Sequence, residues 1–144
     1  MTTALAVDRI VTLFEGMRPE DVAGLAAWYT ADAWFKDPFN EVRGLAQVQR
    51  IYRHMFDALE APRFVVRTRI VQGDECFLAW EFHFAFRSWR RGQPQLVRGS
   101  SHLKLAPDGR IAWHRDYWDA AEEVYEKLPV LGPLMRRLKR RGAS

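Results

Sequence analysis

Glu75-Cys76-Phe77-Leu78-Ala79-Trp80-Glu81-Phe82-His83-Phe84-Ala85-Phe86-Arg87 sets a period of two. Leu78, Trp80, Phe82, Phe84 and Phe86 fall on alternate positions, with Glu81, His83 and Arg87 between them. Successive side chains of a strand point to opposite faces, so the pattern predicts a strand with its aromatic row inward. Arg63 to Gln72, Pro94 to Ala106 and Arg110 to Trp118 read as strands too. Gly73-Asp74, the Arg90-Arg91-Gly92 loop and Pro107-Asp108-Gly109 separate the four. Connections this short force neighbouring strands to be antiparallel. On the third of them Val97, Gly99, Ser101, Leu103 and Leu105 form the inward set, which turns Arg98, His102 and Lys104 outward. On the last, His114, Asp116 and Trp118 share a face, but Trp113 and Tyr117 keep the opposite phase open.

Upstream of this meander the spacing is helical. Ile10, Val11, Phe14 and Met17 form one apolar stripe, and Val22, Leu25, Ala26 and Tyr29 a second. Gly16 ends the first helix; Pro19, Glu20 and Asp21 open the next, where a missing N–H is harmless and negative charge suits the helix dipole. A short strand-like segment, Ala33 to Asp37, stops at Pro38, and a third helix runs from Gly44 to about Leu59, closed by Pro62. Beyond the meander, Asp119 to Lys127 and Pro129 to Arg141 are helical again, with Leu131, Leu134, Met135 and Leu138 opposite basic residues. Helices first and a meander afterwards predict an α+β fold, a curved antiparallel sheet wrapped around three N-terminal helices as a cone-shaped half-barrel, with a C-terminal helix added.

The length, 144 residues, suits one domain, with a core over about 7–120 and a basic helical tail over about 119–141. Six Trp, nine Phe and four Tyr supply more ring area than the helices need for packing, which points to a lined apolar cavity. The formal charge is +4, but Arg136, Arg137, Lys139, Arg140 and Arg141 carry its positive excess, so the body has no basic character to draw nucleic acid. The tail is expected to pack on the body; a lid over the cavity and an anionic surface are its other readings. No apolar run reaches the roughly 20 residues of a membrane helix, and Met1 to Asp8 lacks a basic leader before an apolar stretch. One cysteine, Cys76, leaves no internal disulfide. A cytoplasmic protein is the expectation.

Trp28-Tyr29-Thr30-Ala31-Asp32-Ala33-Trp34-Phe35-Lys36-Asp37-Pro38 resembles the segment of ketosteroid isomerases that carries their catalytic base. Gly44 and the third helix continue the likeness, and Gly109-Arg110-Ile111-Ala112-Trp113-His114-Arg115-Asp116-Tyr117-Trp118-Asp119 is similar to the last strand of SnoaL-like polyketide cyclases. Over residues 7–120 the chain thus resembles the nuclear transport factor 2-like superfamily. The resemblance implies that Asp37 stands at the base position, that Tyr52 matches a tyrosine of the third helix, and that His114, Asp116 and Trp118 face inward. It also implies a homodimer through the outer sheet face. Two departures are plain: Leu13 and Phe14 stand where the isomerases place an oxyanion-hole tyrosine, and Ser101 where they keep a protonated aspartic acid. Steroid isomerisation itself is therefore not expected.

With that phase, Asp37, His114 and Asp116 meet in a chamber walled by Trp80, Phe82, Phe84 and Trp118. Two carboxylates and an imidazole in apolar surroundings suit proton transfer, since desolvation raises a carboxylate's pKa and a neighbouring carboxylate can hold one histidine tautomer. The expected function is cofactor-free acid/base chemistry on a small hydrophobic molecule, of isomerase, cyclase or dehydratase type. Asp37 would take a proton next to a carbonyl, His114 with Asp116 would return it or polarise the oxygen, and Ser101 and Tyr52 would orient the substrate. An Asp-Arg-Asp arrangement of epoxide-hydrolase type would need Arg67 or Arg69 to turn inward. The alternative is a non-catalytic module that binds a ligand or a protein. Bland roles also fit: Asp37 as a turn residue before Pro38, His114 and Asp116 as a structural pair, His83 and His102 outward, His54 towards solvent. No close His-His or His-Glu spacing predicts a metal site.

Overall fold

A computed structural model describes residues 2–88 and 91–119. The expected C-terminal helix, with its basic face, lies outside the described residues. Helix α1 (Thr3–Gly16) opens on Thr2, whose hydroxyl oxygen accepts the Leu5 amide at 3.2 Å. Ala6, Val7, Ile10, Val11, Leu13 and Phe14 form its buried face. The second helical segment, Pro19–Ala27, is a 3₁₀ helix and ends before Tyr29. Its two buried residues, Val22 and Leu25, are three apart, the repeat that eclipses side chains in a 3₁₀ turn. Tyr29 instead opens strand β1 (Tyr29–Lys36), longer than the segment read from sequence, and β2 (Glu41–Arg43) pairs back on it.

Helix α2 (Leu45–Ala58) starts at Gly44, whose φ of 104° lies in the region that side chains avoid. Val48, Tyr52 and Phe56, four apart, put one stripe inward. Pro62 does not lie between helix and strand: β3 (Leu59–Gln72) already begins at Leu59, and the stretch around Ala61, at φ 50°, forms an irregularity in its pairing. An irregular register tolerates a proline because no ladder hydrogen bond is lost there. The meander continues with β4 (Glu75–Phe86), β5 (Gln95–Leu105) and β6 (Ile111–Tyr117).

The six strands form one curved, unclosed sheet in the order β2-β1-β6-β5-β4-β3, an α+β fold with the helices against it. Neighbours in the meander are antiparallel, and β1 joins β6 in parallel, with Phe35 opposite His114. That pairing links residues some 80 positions apart and was not expected from the sequence. Gly109, at φ 88°, closes the β5–β6 turn, and Asp108 accepts the Arg110 amide there at 3.0 Å. The alternation read on β4 and β5 holds: Leu78, Trp80, Phe82, Val97, Ser101, Leu103 and Leu105 are buried, while Arg98 and Lys104 are exposed. No helix among the described residues is long and apolar enough to cross a membrane.

Candidate functional site

The inner face of the sheet, α1 and α2 enclose a cavity of about 320 Å³. Asp37, Tyr52, Trp80, Phe82, Phe84, Ser101, His114, Asp116 and Trp118 all border it. His114 and Asp116 do so because they are two apart on β6, and Ser101 does so because β5 registers it directly opposite Asp116. Apolar rings make the walls: Phe64 lies 4.4 Å from Phe82 and 5.1 Å from Trp80 between ring centres, and Phe39 packs edge-on against Trp118 at the rim. His54, exposed on α2, also reaches the rim.

His114 is 2% exposed and held on all sides. Phe35 and Phe14 pack against its ring at 4.6 and 5.8 Å, and the Tyr29 ring lies parallel to it. Its Nδ1 is 2.8 Å from the Tyr29 hydroxyl, and its Nε2 is 2.7 Å from Asp116 Oδ1. Tyr29 in turn meets Tyr52 at 2.8 Å between hydroxyls. On the other side the Ser101 hydroxyl donates to Asp116 Oδ1, and the Trp80 indole N–H donates to Ser101 at 2.9 Å. Six side chains therefore form one hydrogen-bonded row, from Tyr52 through Tyr29, His114, Asp116 and Ser101 to Trp80. No buried side-chain polar atom among the described residues lacks a partner, as a buried polar network requires to be stable.

Burial pushes the phenols of Tyr29 and Tyr52 well above their ordinary range, and the charge of Asp116 acts on both in the same direction. Both therefore carry their proton throughout the physiological range. Asp116 uses one carboxylate oxygen for His114 and Ser101. Its Oδ2 has no hydrogen bond among the described residues, and the side chain is 15% exposed.

Asp37 is placed differently. Its Oδ1 accepts the amides of Phe39 at 2.8 Å and Asn40 at 2.7 Å, and both of its oxygens accept from the Asn40 side chain. This is the turn geometry that an aspartate before Pro38 favours. It borders the cavity mouth with its hydrogen-bonding capacity directed largely at its own loop.

Tyr29 is the residue the sequence reading missed at the site. Its helical spacing with Leu25 and Ala26 masked it, and only the parallel pairing of β1 with β6 brings it to His114. Gly99 was read as one more inward position, yet it shapes the site. A Cβ there would lie 2.6 Å from the Trp80 ring and 2.8 Å from the Tyr117 carbonyl oxygen. The bare backbone lets the indole lie across β5 and reach Ser101. Arg67 points outward to Glu81 and Arg69 pairs with Asp8, so neither enters the cavity. Among the described residues no group of three His, Cys, Asp or Glu side chains could hold a metal ion.

Residues 10–114 match the SnoaL-like domain. Among solved structures, a hypothetical protein with a ketosteroid isomerase-like fold from Catenulispora acidiphila, in complex with trimethylamine, is similar with a TM-score of 0.70 and 16% identity, over 85% of this chain and 92% of that one. A nuclear transport factor 2-like protein of unknown function from Burkholderia pseudomallei matches with a TM-score of 0.70 and 17% identity, over 85% and 95%. An LEH-like epoxide hydrolase from M. tuberculosis matches with a TM-score of 0.67 and 15% identity, over 95% and 91%. At these identities the likeness is one of fold. No curated protein sequence matches the chain.

Proposed function

We propose that this chain, which belongs to the SnoaL-like domain family, performs cofactor-free acid/base chemistry on a small hydrophobic molecule, of isomerase, cyclase or dehydratase type. The observation that carries the reading is the enclosure of His114, Asp116 and Asp37 in one ring-walled cavity. A carboxylate backed by a buried imidazole can accept a proton and hand it on without leaving a bare charge in an apolar chamber.

The two carboxylates divide the work. Asp116 keeps one oxygen without a hydrogen bond among the described residues while Ser101 and His114 hold the other, so it is the proton acceptor and donor, positioned by two fixed hydrogen bonds. Asp37, whose Oδ1 is held by donors from its own turn, stands at the mouth as the second carboxylate and takes up the polar end of the substrate through Oδ2, which accepts only from the Asn40 side chain among the described residues. Trp80, Phe82, Phe84 and Trp118 grip the apolar body, and Ser101 and Tyr52 orient it. The epoxide-hydrolase arrangement gains no support, because no arginine borders the cavity among the described residues.

The test is turnover of a panel of hydrophobic carbonyl compounds, followed by proton exchange with deuterated solvent. Asp116→Asn is expected to abolish exchange, and Asp37→Asn to weaken it through KM. Undiminished exchange in Asp116→Asn would overturn the assignment; loss in Asp37→Asn with kcat, not KM, affected would move the base to Asp37.

A second reading, association through the outer sheet face, is favoured by one observation. Phe77, Tyr117 and Ile70 leave 41%, 41% and 64% of their area exposed on that face, next to Lys104 and Arg115 over the rings of Trp113 and Tyr117. Such a patch fits a second copy of the chain, with the cavities facing away from the contact. A dimer by light scattering that Phe77→Asp converts to monomer is the expected result; a monomeric wild type sinks it.

A further inference from the structure

The row of hydrogen bonds beside the cavity has a direction. An indole N–H can only donate, so the Ser101 oxygen receives from Trp80, and the Ser101 proton goes to Asp116. A carboxylate oxygen that already accepts from Ser101 accepts from His114 as well, so the imidazole proton sits on Nε2. With the ring's single proton on Nε2, Nδ1 offers only a lone pair, so the Tyr29 proton is committed to it. The Tyr29 oxygen then receives the proton of Tyr52. Each step fixes the next, and the row ends with Tyr52 turning its proton inward, away from the cavity it borders.

We propose that the cavity recognises its ligand through a hydroxyl of the ligand, a phenol or an enol on an apolar body, which donates to the oxygen of Tyr52. What such a site meets least well is an acceptor such as an ether or a ketone oxygen presented at Tyr52, because the phenolic proton there is already in use. Two members of the row that border the cavity present acceptors, Tyr52 through an oxygen whose own proton is committed and Asp116, within the row, through an Oδ2 that has no hydrogen bond among the described residues. No lysine or arginine borders the cavity among the described residues, and two carboxylates, Asp37 and Asp116, do, which disfavours an anionic ligand. The inference deepens the proposed function, since it rests on the same cavity being the ligand site, but it requires binding alone and no turnover.

The experiment compares 2-naphthol with 2-methoxynaphthalene, which has the same rings and no proton to give, by isothermal titration against the full chain. In the wild type naphthol is expected to bind about five- to tenfold more tightly, the range of one neutral hydrogen bond. In Tyr52→Phe that preference is expected to disappear through loss of naphthol affinity alone. Tyr29→Phe, which frees the Tyr52 proton for the cavity, should raise the affinity for 2-acetylnaphthalene, an acceptor probe, at least threefold over wild type. Long-range proton–nitrogen correlation at pH 8 should place the His114 ring proton on Nε2. Equal affinities in the wild type, binding of neither naphthalene, a naphthol preference that survives Tyr52→Phe, or a His114 ring protonated at Nδ1 each overturns the inference. Selective naphthol binding by a chain that exchanges no proton keeps the inference and removes the catalytic reading.

Discussion

The sheet carries two imidazole–carboxylate pairs, one on each face. His114 Nε2 lies 2.7 Å from Asp116 on the inner face, and His102 Nε2 lies 2.8 Å from Glu75 on the outer. The distances are nearly equal and the surroundings are not. Inside, the side chains are 2% and 15% exposed, and the pair is tied at both ends to Tyr29 and Ser101. Outside, they are 19% and 46% exposed, and His102 rests between the rings of Phe77 and Trp113. Water offers the outer pair a good substitute partner, so it is worth between zero and about 1 kcal/mol. The inner pair has no such substitute, and removing one member strands the other. Hydrogen-bond length does not rank the two pairs; what each group would meet if its partner left does.

The largest effect expected from this contrast is on stability. His114→Ala should cost about 3 kcal/mol or more in urea unfolding, and His102→Ala about 0.5 kcal/mol. Similar losses for both would break the comparison. Next comes Gly99→Ala, whose new methyl would meet the Trp80 ring and the Tyr117 carbonyl. About 1–3 kcal/mol is expected, together with a changed near-ultraviolet circular dichroism as the indole leaves Ser101. Ser100→Ala, one position along and facing outward, should stay within about 0.5 kcal/mol.

Cys76 sharpens the same distinction through chemistry. Burial among inner-face side chains pushes its thiol up to about 11, from an ordinary value of 9.0. Alkylation by iodoacetamide at pH 8 should therefore run about a hundredfold slower in the folded chain than in urea, from the thiolate fraction alone. Because the folded value is raised, the thiol's contribution to stability is complete below pH about 9 and fades as pH rises towards 11. Cys76→Ala should remove that part of the alkaline decline, and rapid labelling of the folded chain would place the thiol at the surface.

The smallest effect belongs to the outer face. The hydrogen bond from Arg67, then that from His83, holds the Glu81 carboxyl below its ordinary value. A depressed carboxyl stabilises above its unfolded value of 4.5 and loses that contribution as pH falls through the lower folded value. Glu81→Gln should flatten the acid limb of the stability profile slightly, an effect visible only when both profiles are recorded at low salt. A steeper acid limb in the variant would reverse the assignment.

The sequence alone determined the strands of the meander, the inward rows of β4 and β5 and the turn at Pro107-Asp108-Gly109, because a period of two and a proline–glycine turn are local properties of a few neighbouring residues; the phase of β6 it left open. From the same rows, helped by family resemblance at the Asp-Pro segment and the last strand, came the meeting of Asp37, His114 and Asp116 at one cavity. The 3₁₀ geometry of Pro19–Ala27 and the early start of β3 at Leu59 escaped, since packing against the core set those boundaries. Tertiary structure alone decided the partners. The parallel seam of β1 and β6 carries Tyr29 to His114 across 85 positions, and the cross-strand register sets Ser101 against Asp116 while the bare backbone of Gly99 lets Trp80 through. A hydrogen bond depends on where two atoms arrive, and residues far apart in the chain leave no periodic mark of where they will meet.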